Sequence, residues 1–357
     1  MRIGVNTLFL IPREVGGTEI YVRSVLPAIQ SIETDSEVVV LTNRVNHDSF
    51  SSFDRVLIPV DAHSRSRRVV AEQVALPRAA RDTAIDVLYS PGYTCPLRCP
   101  CPQVVTIHDT QFLDYPEDFP WLSRMVQRVL VSRGARGAGA ITTVSEFSRG
   151  RIAHHFSVPV EKIFVAHSAL SGVFETPQPC IVEKPFLLYI ANTYPHKNAA
   201  RLVRAFDRIA GQIPHTLVLC GQPREGEPAP HPRMRRLHHI PYEQVIGLVQ
   251  HADLLVFPSL YEGFGRPVVE AQEAGTRVIA ARCASIPEIG GPGATYFDAT
   301  SEEGIAHAIL EALNEGSYFR REMIQAGKVN ARRFTWDACA QATLQAFRCA
   351  MEHRRTA

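Results

Sequence analysis

Pro258-Ser-Leu-Tyr-Glu262-Gly263-Phe264-Gly265-Arg266-Pro267-Val268-Val269-Glu270-Ala-Gln-Glu-Ala-Gly275 is the stretch on which the reading of this chain turns. It follows a short apolar run, Leu254-Leu-Val-Phe257, and precedes another, Val278-Ile-Ala280, so it joins two buried strands through a helix. Pro267 suits the first helical position, where no backbone N–H is needed, and Gly275 the left-handed position just past the helix end. The helix is therefore entered through a Gly-Phe-Gly turn, and its first N–H groups, which lack a partner four residues back, face whatever lies beyond the strand. A helix start of this kind attracts anions. Glu262 precedes the turn and Glu270 lies about one turn into the helix. Carboxylates accept paired hydrogen bonds from vicinal hydroxyls, so amides for a diphosphate with an acid for the sugar on either side is one reading. Two solvated glutamates at a helix start is the other.

Outward from that stretch, short Val- and Ile-rich runs alternate with longer helical patterns, which predicts parallel sheets with helices on both faces. In the first half the strands are expected at Arg2 to Asn6, Glu37 to Thr42, Val56 to Pro59, Val87 to Ser90, Gln103 to His108 and Ala140 to Val144. The pattern restarts at Phe186 to Ile190 and returns at Thr216 to Cys220, Leu254 to Phe257 and Val278 to Ala280. Two α/β domains in tandem follow: residues 1–172, a proline-rich linker at 173–184, and residues 185–334. A last helix, about Thr335 to Glu352, comes after the second sheet is complete, and its stripe of Trp336, Cys339, Ala340, Thr343, Leu344 and Phe347 needs a surface to cover. Residues 222–236 read as an exposed loop.

The length of 357 residues and an apolar fraction of 45% support two cores and exclude a disordered chain. Charge is nearly balanced, with 38 Lys plus Arg against 36 Asp plus Glu, so no nucleic-acid partner is expected. No run approaches 18 uncharged apolar residues, and Met1-Arg2-Ile3-Gly4-Val5 leads straight into a strand, so a soluble cytoplasmic protein is expected. Cys95, Cys99 and Cys101 lie among prolines with no His or fourth Cys at ligand spacing, and a rigid loop with incidental thiols is the expectation there.

Ligands of open α/β sheets sit beyond the carboxyl ends of the strands, and three further places qualify. Gly16-Gly17-Thr18-Glu19 opens a helix after the first strand, where paired glycines allow backbone to approach an anion, or simply make a turn. Thr106-Ile-His108-Asp109 ends a β-branched strand; His108 either donates to a hydroxyl or takes a proton, or the pair caps the strand. In Asn192-Thr-Tyr-Pro-His196-Lys197-Asn198, one of only four lysines stands at a helix start, where its charge opposes the dipole unless an anion lies between them.

At these residues the chain resembles glycosyltransferase family 4, nucleotide-sugar-dependent retaining enzymes of the GT-B fold. Glu262 and Glu270 match the family's Glu-x7-Glu pair, Lys197-Asn198 its Lys-Asn, and Gly275-Thr-Arg-Val-Ile-Ala with Ser285-Ile-Pro-Glu288 its continuation. Thr143-Val-Ser145-Glu-Phe-Ser148, Gly16-Gly17 and His108-Asp109 match motifs of the first half. The resemblance implies two Rossmann-like doubly wound parallel-sheet domains facing a cleft, with the last helix crossing back to the first domain. It implies catalytic roles for His108, Lys197 and Glu262, and donor contacts from Gly16, Gly17, Asn198, Gly263, Phe264, Gly265 and Glu270. It also implies similarity to bacterial polysaccharide mannosyltransferases. His196 stands where the family has an arginine, and Arg266 is a candidate substitute.

The expected reaction moves a hexose from a nucleoside diphosphate sugar to a hydroxyl of a glycan, a lipid-linked glycan or a small molecule, with retention and without cofactor or metal. A metal-bridged diphosphate would need clustered aspartates, and no Asp-x-Asp occurs. A dehydrogenase would need Gly-x-Gly-x-x-Gly after the first strand, which is also missing. A GT-B epimerase, a sugar phosphorylase and a non-catalytic nucleotide-sugar-binding subunit share the framework and remain as alternatives. The arginines of Arg65-Ser-Arg67-Arg68 and the helix from Trp121 to Arg136 either meet a lipid-linked acceptor at a membrane face or are solvated.

Overall fold

The computed structural model describes residues 1–14, 16–170, 172–192, 194–223 and 231–356, the side chains of 353–356 excepted. The chain divides into two compact units, Met1–Ala169 with Thr335–Ala357, and Leu170–Phe334.

In the first unit β1 (Arg2–Asn6), β2 (Glu37–Thr42), β3 (Asp54–Leu57), β4 (Val87–Ser90), β5 (Gln103–Thr106), β6 (Ala140–Thr143) and β7 (Ile163–Val165) form one sheet in the order β3-β2-β1-β4-β5-β6-β7. Every pairing is parallel, in registers such as Ile3 with Val38 and Ile3 with Val87. Between the strands run α1 (Gly17–Ile32), α2 (Arg65–Asp82), α3 (Gln111–Asp114), α4 (Trp121–Gly137) and α5 (Glu146–Phe156). Strand order reverses between β1 and β4, so the loops leaving those two strands diverge and open a crevice at their carboxyl ends.

The second unit repeats the plan with β8 (Phe186–Ile190), β9 (Thr216–Cys220), β10 (Met234–Leu237), β11 (Leu254–Phe257), β12 (Val278–Ala281) and β13 (Thr295–Phe297), ordered β10-β9-β8-β11-β12-β13 and again parallel. Its helices are α6 (Ala199–Ile209), α7 (Tyr242–His251), α8 (Arg266–Ala274), α9 (Ile286–Gly290), α10 (Glu302–Asn314) and α11 (Ser317–Ala331). Here the reversal lies between β8 and β11, the two strands followed by the Lys197 and Glu262 loops. The core strands are buried on both faces, which is why they read as unbroken apolar runs.

The final helix, α12 (Trp336–Thr356), packs on α1 and on β4 to β7. Cys339, Ala340, Thr343, Leu344 and Phe347 are each at most 1% exposed, and Phe347 meets Tyr89 edge-on at 5.2 Å, so the stripe covers the first unit. Ser145 caps α5 by accepting from Ser148 N at 3.1 Å, which gives the Thr-Val-Ser-x-x-Ser motif a structural use.

Some expectations need correction. Part of the segment 222–236 is not loop: Met234–Leu237 forms edge strand β10 on β9, while 224–230 lie outside the described residues. An edge strand with one covered face needs few apolar residues, and the two arginines in Met-Arg-Arg-Leu hid it. Strands β7 and β13, three residues each, are too short to show a period. Strand β5 ends at Thr106, which leaves His108 just past it. The proline-rich segment is held on the second unit: Phe174 and Val182 enter its core, and Gln250 of α7 donates to Phe174 O at 2.8 Å and accepts from Gln178 N at 2.8 Å. Cys99 Sγ and Cys101 Sγ lie 3.5 Å apart.

Candidate active site

In the second unit the Lys197 loop ends on Asn198, whose backbone is left-handed (φ 62°), a conformation that asparagine tolerates better than most residues. Its side-chain amide donates to Pro258 O at 3.1 Å and Ala299 O at 2.9 Å, so one residue ties the ends of β8, β11 and β13 together. Arg201 Nη1 donates to Asn198 Oδ1 at 2.7 Å, and Leu260 N to His196 O at 2.7 Å, which fastens the two loops further. Asn198 is thus a buried brace at the switch point.

Next to it, Lys197 Nζ donates to Glu262 Oε1 at 2.7 Å, with side chains only 21% and 11% exposed. A pair this far from water is held by its mutual attraction, and removing either partner strands the other. The turn that follows Glu262 is pinned by Ser285 Oγ, which donates to Glu262 O at 2.9 Å and Phe264 O at 3.1 Å. Phe264 is buried edge-on against Phe334, with ring centroids 5.3 Å apart. Gly265 enters α8 at φ 92°, where a β-carbon would be strained, and Gly275 ends the helix at φ 78°. Gly263, Phe264 and Gly265 therefore deliver the start of α8 to the edge where Lys197 stands.

Glu270 is 8% exposed, and its Oε1 accepts from Arg266 Nε at 2.6 Å. Arg266 is thus not a solvated arginine. Its Nη1 is buried without a hydrogen-bond partner among the described residues, so one donor is still available. Tyr242 lies against this pair, and burial together with the negative charge of Glu270 pushes its hydroxyl up to about 12. Nothing in the sequence around Tyr242, Arg201 or the Ser285 hydroxyl announced these supporting roles; Ser285 alone stood within a recognised motif.

In the first unit His108 Nε2 lies 3.1 Å from Pro91 O. A carbonyl only accepts, so Nε2 carries the proton and Nδ1 presents a lone pair. Tyr21 meets the ring edge-on at 5.1 Å and Tyr93 lies at 5.3 Å, and burial pushes the imidazole down to about 4. At neutral pH His108 is an uncharged acceptor; its one N–H is already engaged. Asp109 Oδ1 accepts from Gln111 N at 3.1 Å at the start of α3. Gly16 caps α1 at φ 63°, and a β-carbon on Gly16 or Gly17 would meet nothing within 4 Å, so the paired glycines front open space. The candidate residues thus form two sets at strand ends: Gly16, Gly17 and His108 in one unit, and Lys197, Asn198, Glu262, Gly263, Phe264, Gly265 and Glu270 in the other.

Residues 15–170 match the profile described as Glycosyltransferase Family 4, and residues 177–330 that of Glycosyl transferases group 1. The chain belongs to this glycosyltransferase family. It is 28% identical to the O-antigen chain mannosyltransferase B of Escherichia coli over 298 residues, 76% of each chain. It is 24% identical to the O-antigen chain mannosyltransferase RfbU of Salmonella typhimurium over 217 residues, 58% of this chain and 60% of that one. Among solved structures, the sucrose-phosphate synthase (tll1590) of Thermosynechococcus elongatus superposes with a TM-score of 0.76 at 16% identity, covering 98% of both chains. Anabaena Alr3699/HepE in complex with UDP and glucose gives 0.70 at 18%, covering 97% of this glycosyltransferase and 98% of that chain. The fold of the enzyme is GT-B.

Because its folded pKa lies below the ordinary value of about 6.5, His108 stabilises the neutral-pH fold fully above that value and loses the contribution as pH falls toward 4. The ring protons of His108, followed by NMR from pH 3.5 to 8, should titrate with a midpoint near 4. A midpoint of 6 or above would mean that the ring is not wedged as described.

Proposed function

We propose that the enzyme transfers a hexose, mannose foremost, from a nucleoside diphosphate sugar to a hydroxyl of a glycan or lipid-linked glycan during cell-surface polysaccharide synthesis. Retention at the anomeric carbon and independence of metal belong to this reading. The observation that carries it is the Lys197–Glu262 pair at the switch point, beside the Gly265-led start of α8. The mannosyl donor is supported by the two mannosyltransferase relatives.

As the bond between the anomeric carbon and the diphosphate oxygen opens, positive charge grows on the sugar and negative charge on the leaving group. The ammonium of Lys197 and the first-turn amides of α8 stand where that negative charge collects, and preorganised donors of this sort are usually the largest catalytic contribution. Glu262 holds Lys197 through Oε1 and offers Oε2 to sugar hydroxyls. Glu270, oriented by Arg266, accepts from the ribose diol, and the remaining guanidinium donor of Arg266 is available to a phosphate in place of the family's arginine at position 196. His108 Nδ1 accepts from a hydroxyl of the transferred sugar, a role that needs the neutral ring. With attack on the face that the diphosphate leaves, the leaving oxygen takes the acceptor proton, and no separate base is required.

A peripheral membrane position fits α4. The helix carries Arg124, Arg128, Arg133 and Arg136 with no acidic residue, and Trp121 and Leu122 at its start are 71% and 60% exposed. That is the composition of a helix that lies on an anionic lipid surface. Among the described residues no helix is long and apolar enough to cross a membrane.

With labelled GDP-mannose and an acceptor extract, Lys197→Ala should lower turnover by about 10² to 10³. Glu270→Ala should weaken donor binding in calorimetry by tenfold or more, the loss of a charge-assisted hydrogen bond being about 1.5–3 kcal/mol. Unchanged turnover in the first variant, or unchanged affinity in the second, would remove that residue from the mechanism. In vesicle sedimentation the chain should bind phosphatidylglycerol vesicles and not phosphatidylcholine ones, with Trp121→Ser and Leu122→Ser together reducing the bound fraction severalfold. Equal partition to both lipids would contradict a docking role for α4.

A further inference from the structure

A second concavity lies wholly in the first unit, a pocket of about 330 Å³ at the carboxyl end of β4, beside that sheet's switch point. Arg65 and Arg68 of α2, Val126 and Leu130 of α4, and Tyr93 and Thr94 after β4 line it. Arg68 is half-buried, and its guanidinium makes no hydrogen bond or ion pair among the described residues. Burial lowers its pKa, the charge of Glu72 acts against that, and the neighbouring Arg65 lowers it again. Arg65 donates to Ser123 Oγ at 2.5 Å rather than to a carboxylate. Two acids lie near, and neither forms an ion pair with the arginines, although the charge of Glu72 attracts Arg68. Glu72, one turn on, is 3% exposed and accepts from Thr94 Oγ1 at 2.9 Å, and burial raises its pKa. Glu14 also borders the pocket, where its Oε1 is 3.8 Å from His63 Nε2.

The two guanidiniums line one concavity and repel each other, Arg68 half-buried and Arg65 at its exposed mouth, and most of their ten N–H donors have no protein partner among the described residues. An oxyanion removes both penalties, since guanidinium forks match phosphate oxygens in pairs. Two positive charges suit a phosphate monoester better than the single charge of a carboxylate. We propose that this pocket is an acceptor subsite that recognises a phosphate group carried by the acceptor. The inference rests on the glycosyl-transfer reading and deepens it by naming the acceptor's chemistry. The position fits: Tyr93 lines the pocket on one side and packs against His108 on the other, so a phosphate on Arg68 lies one aromatic ring away from the group assigned to the transferred sugar. Val126 and Leu130 supply an apolar wall for a sugar face or an alkyl chain.

The test is a ligand-observed NMR titration of the full chain with mannose 6-phosphate and octyl phosphate, each beside its uncharged counterpart, mannose and octyl glucoside. The wild type should bind each phosphate at least tenfold more tightly than the neutral compound, and Arg68→Gln and Arg65→Gln should each lose most of that preference. Lys197→Ala should keep it, because the donor site is elsewhere. Tighter binding of octyl phosphate identifies a lipid-borne phosphate, and tighter binding of mannose 6-phosphate a phosphorylated glycan; both support the subsite. No preference in the wild type, or a preference lost in Lys197→Ala and kept in Arg68→Gln, overturns it. GDP and UDP binding, measured in the same variants, reports separately on the glycosyl-transfer reading: it survives Arg68→Gln if that reading holds, and is missing from the wild type if it fails.

Discussion

The ion pair between Lys197 and Glu262 is the contact on which the chemistry proposed for the second unit depends. It joins the loops that leave β8 and β11, the two strands between which the order of the sheet reverses, so each charge is supplied by a different arm of the fold. Asn198 makes that meeting rigid by bonding to the backbone at the ends of β11 and β13 from a left-handed position. An ammonium held by one carboxylate oxygen still has two N–H donors to offer. In the proposed reaction it is already largely buried and aimed before an anion binds, so little reorganisation is left for the moment of reaction.

The charges around this pair are arranged by environment more than by count. Arg266 orients Glu270 and retains a donor, the Tyr242 hydroxyl beside them is pushed up by burial and by the charge of Glu270, and His108 in the first unit is kept neutral by burial, which outweighs the opposing pull of the Pro91 carbonyl. A neutral imidazole with its N–H engaged can only accept, which removes one of the two chemical roles that its residue type allows. The overall charge of +2 reveals none of this, because each functional charge has a local counterpart or a local reason to be silent.

How much of this was legible in the sequence follows from the range of the interactions involved. Helix α8 could be read because Pro267 and Gly275 punctuate it locally, and the long core strands because burial on both faces makes them continuous apolar runs. The family motifs then carried Lys197, Glu262 and Glu270. Edge strand β10 and the short β7 and β13 were not legible, since pairing rather than periodicity creates them. Nor were the braces: Asn198 was read as a ligand contact, and its amide also reaches backbone 60 and 101 residues away, and the Arg266–Glu270 pair looked like a solvated helix face although Glu270 is buried against Arg266. Contacts over such separations leave no local trace.

A crystal structure of the enzyme with a nucleoside diphosphate bound tests the central claim most directly. The β-phosphate should lie within hydrogen-bond distance of Lys197 Nζ and of the amides that open α8, with the ribose diol on Glu270. A nucleotide seated elsewhere, with the Lys197–Glu262 pair closed and untouched, would contradict the proposed chemistry.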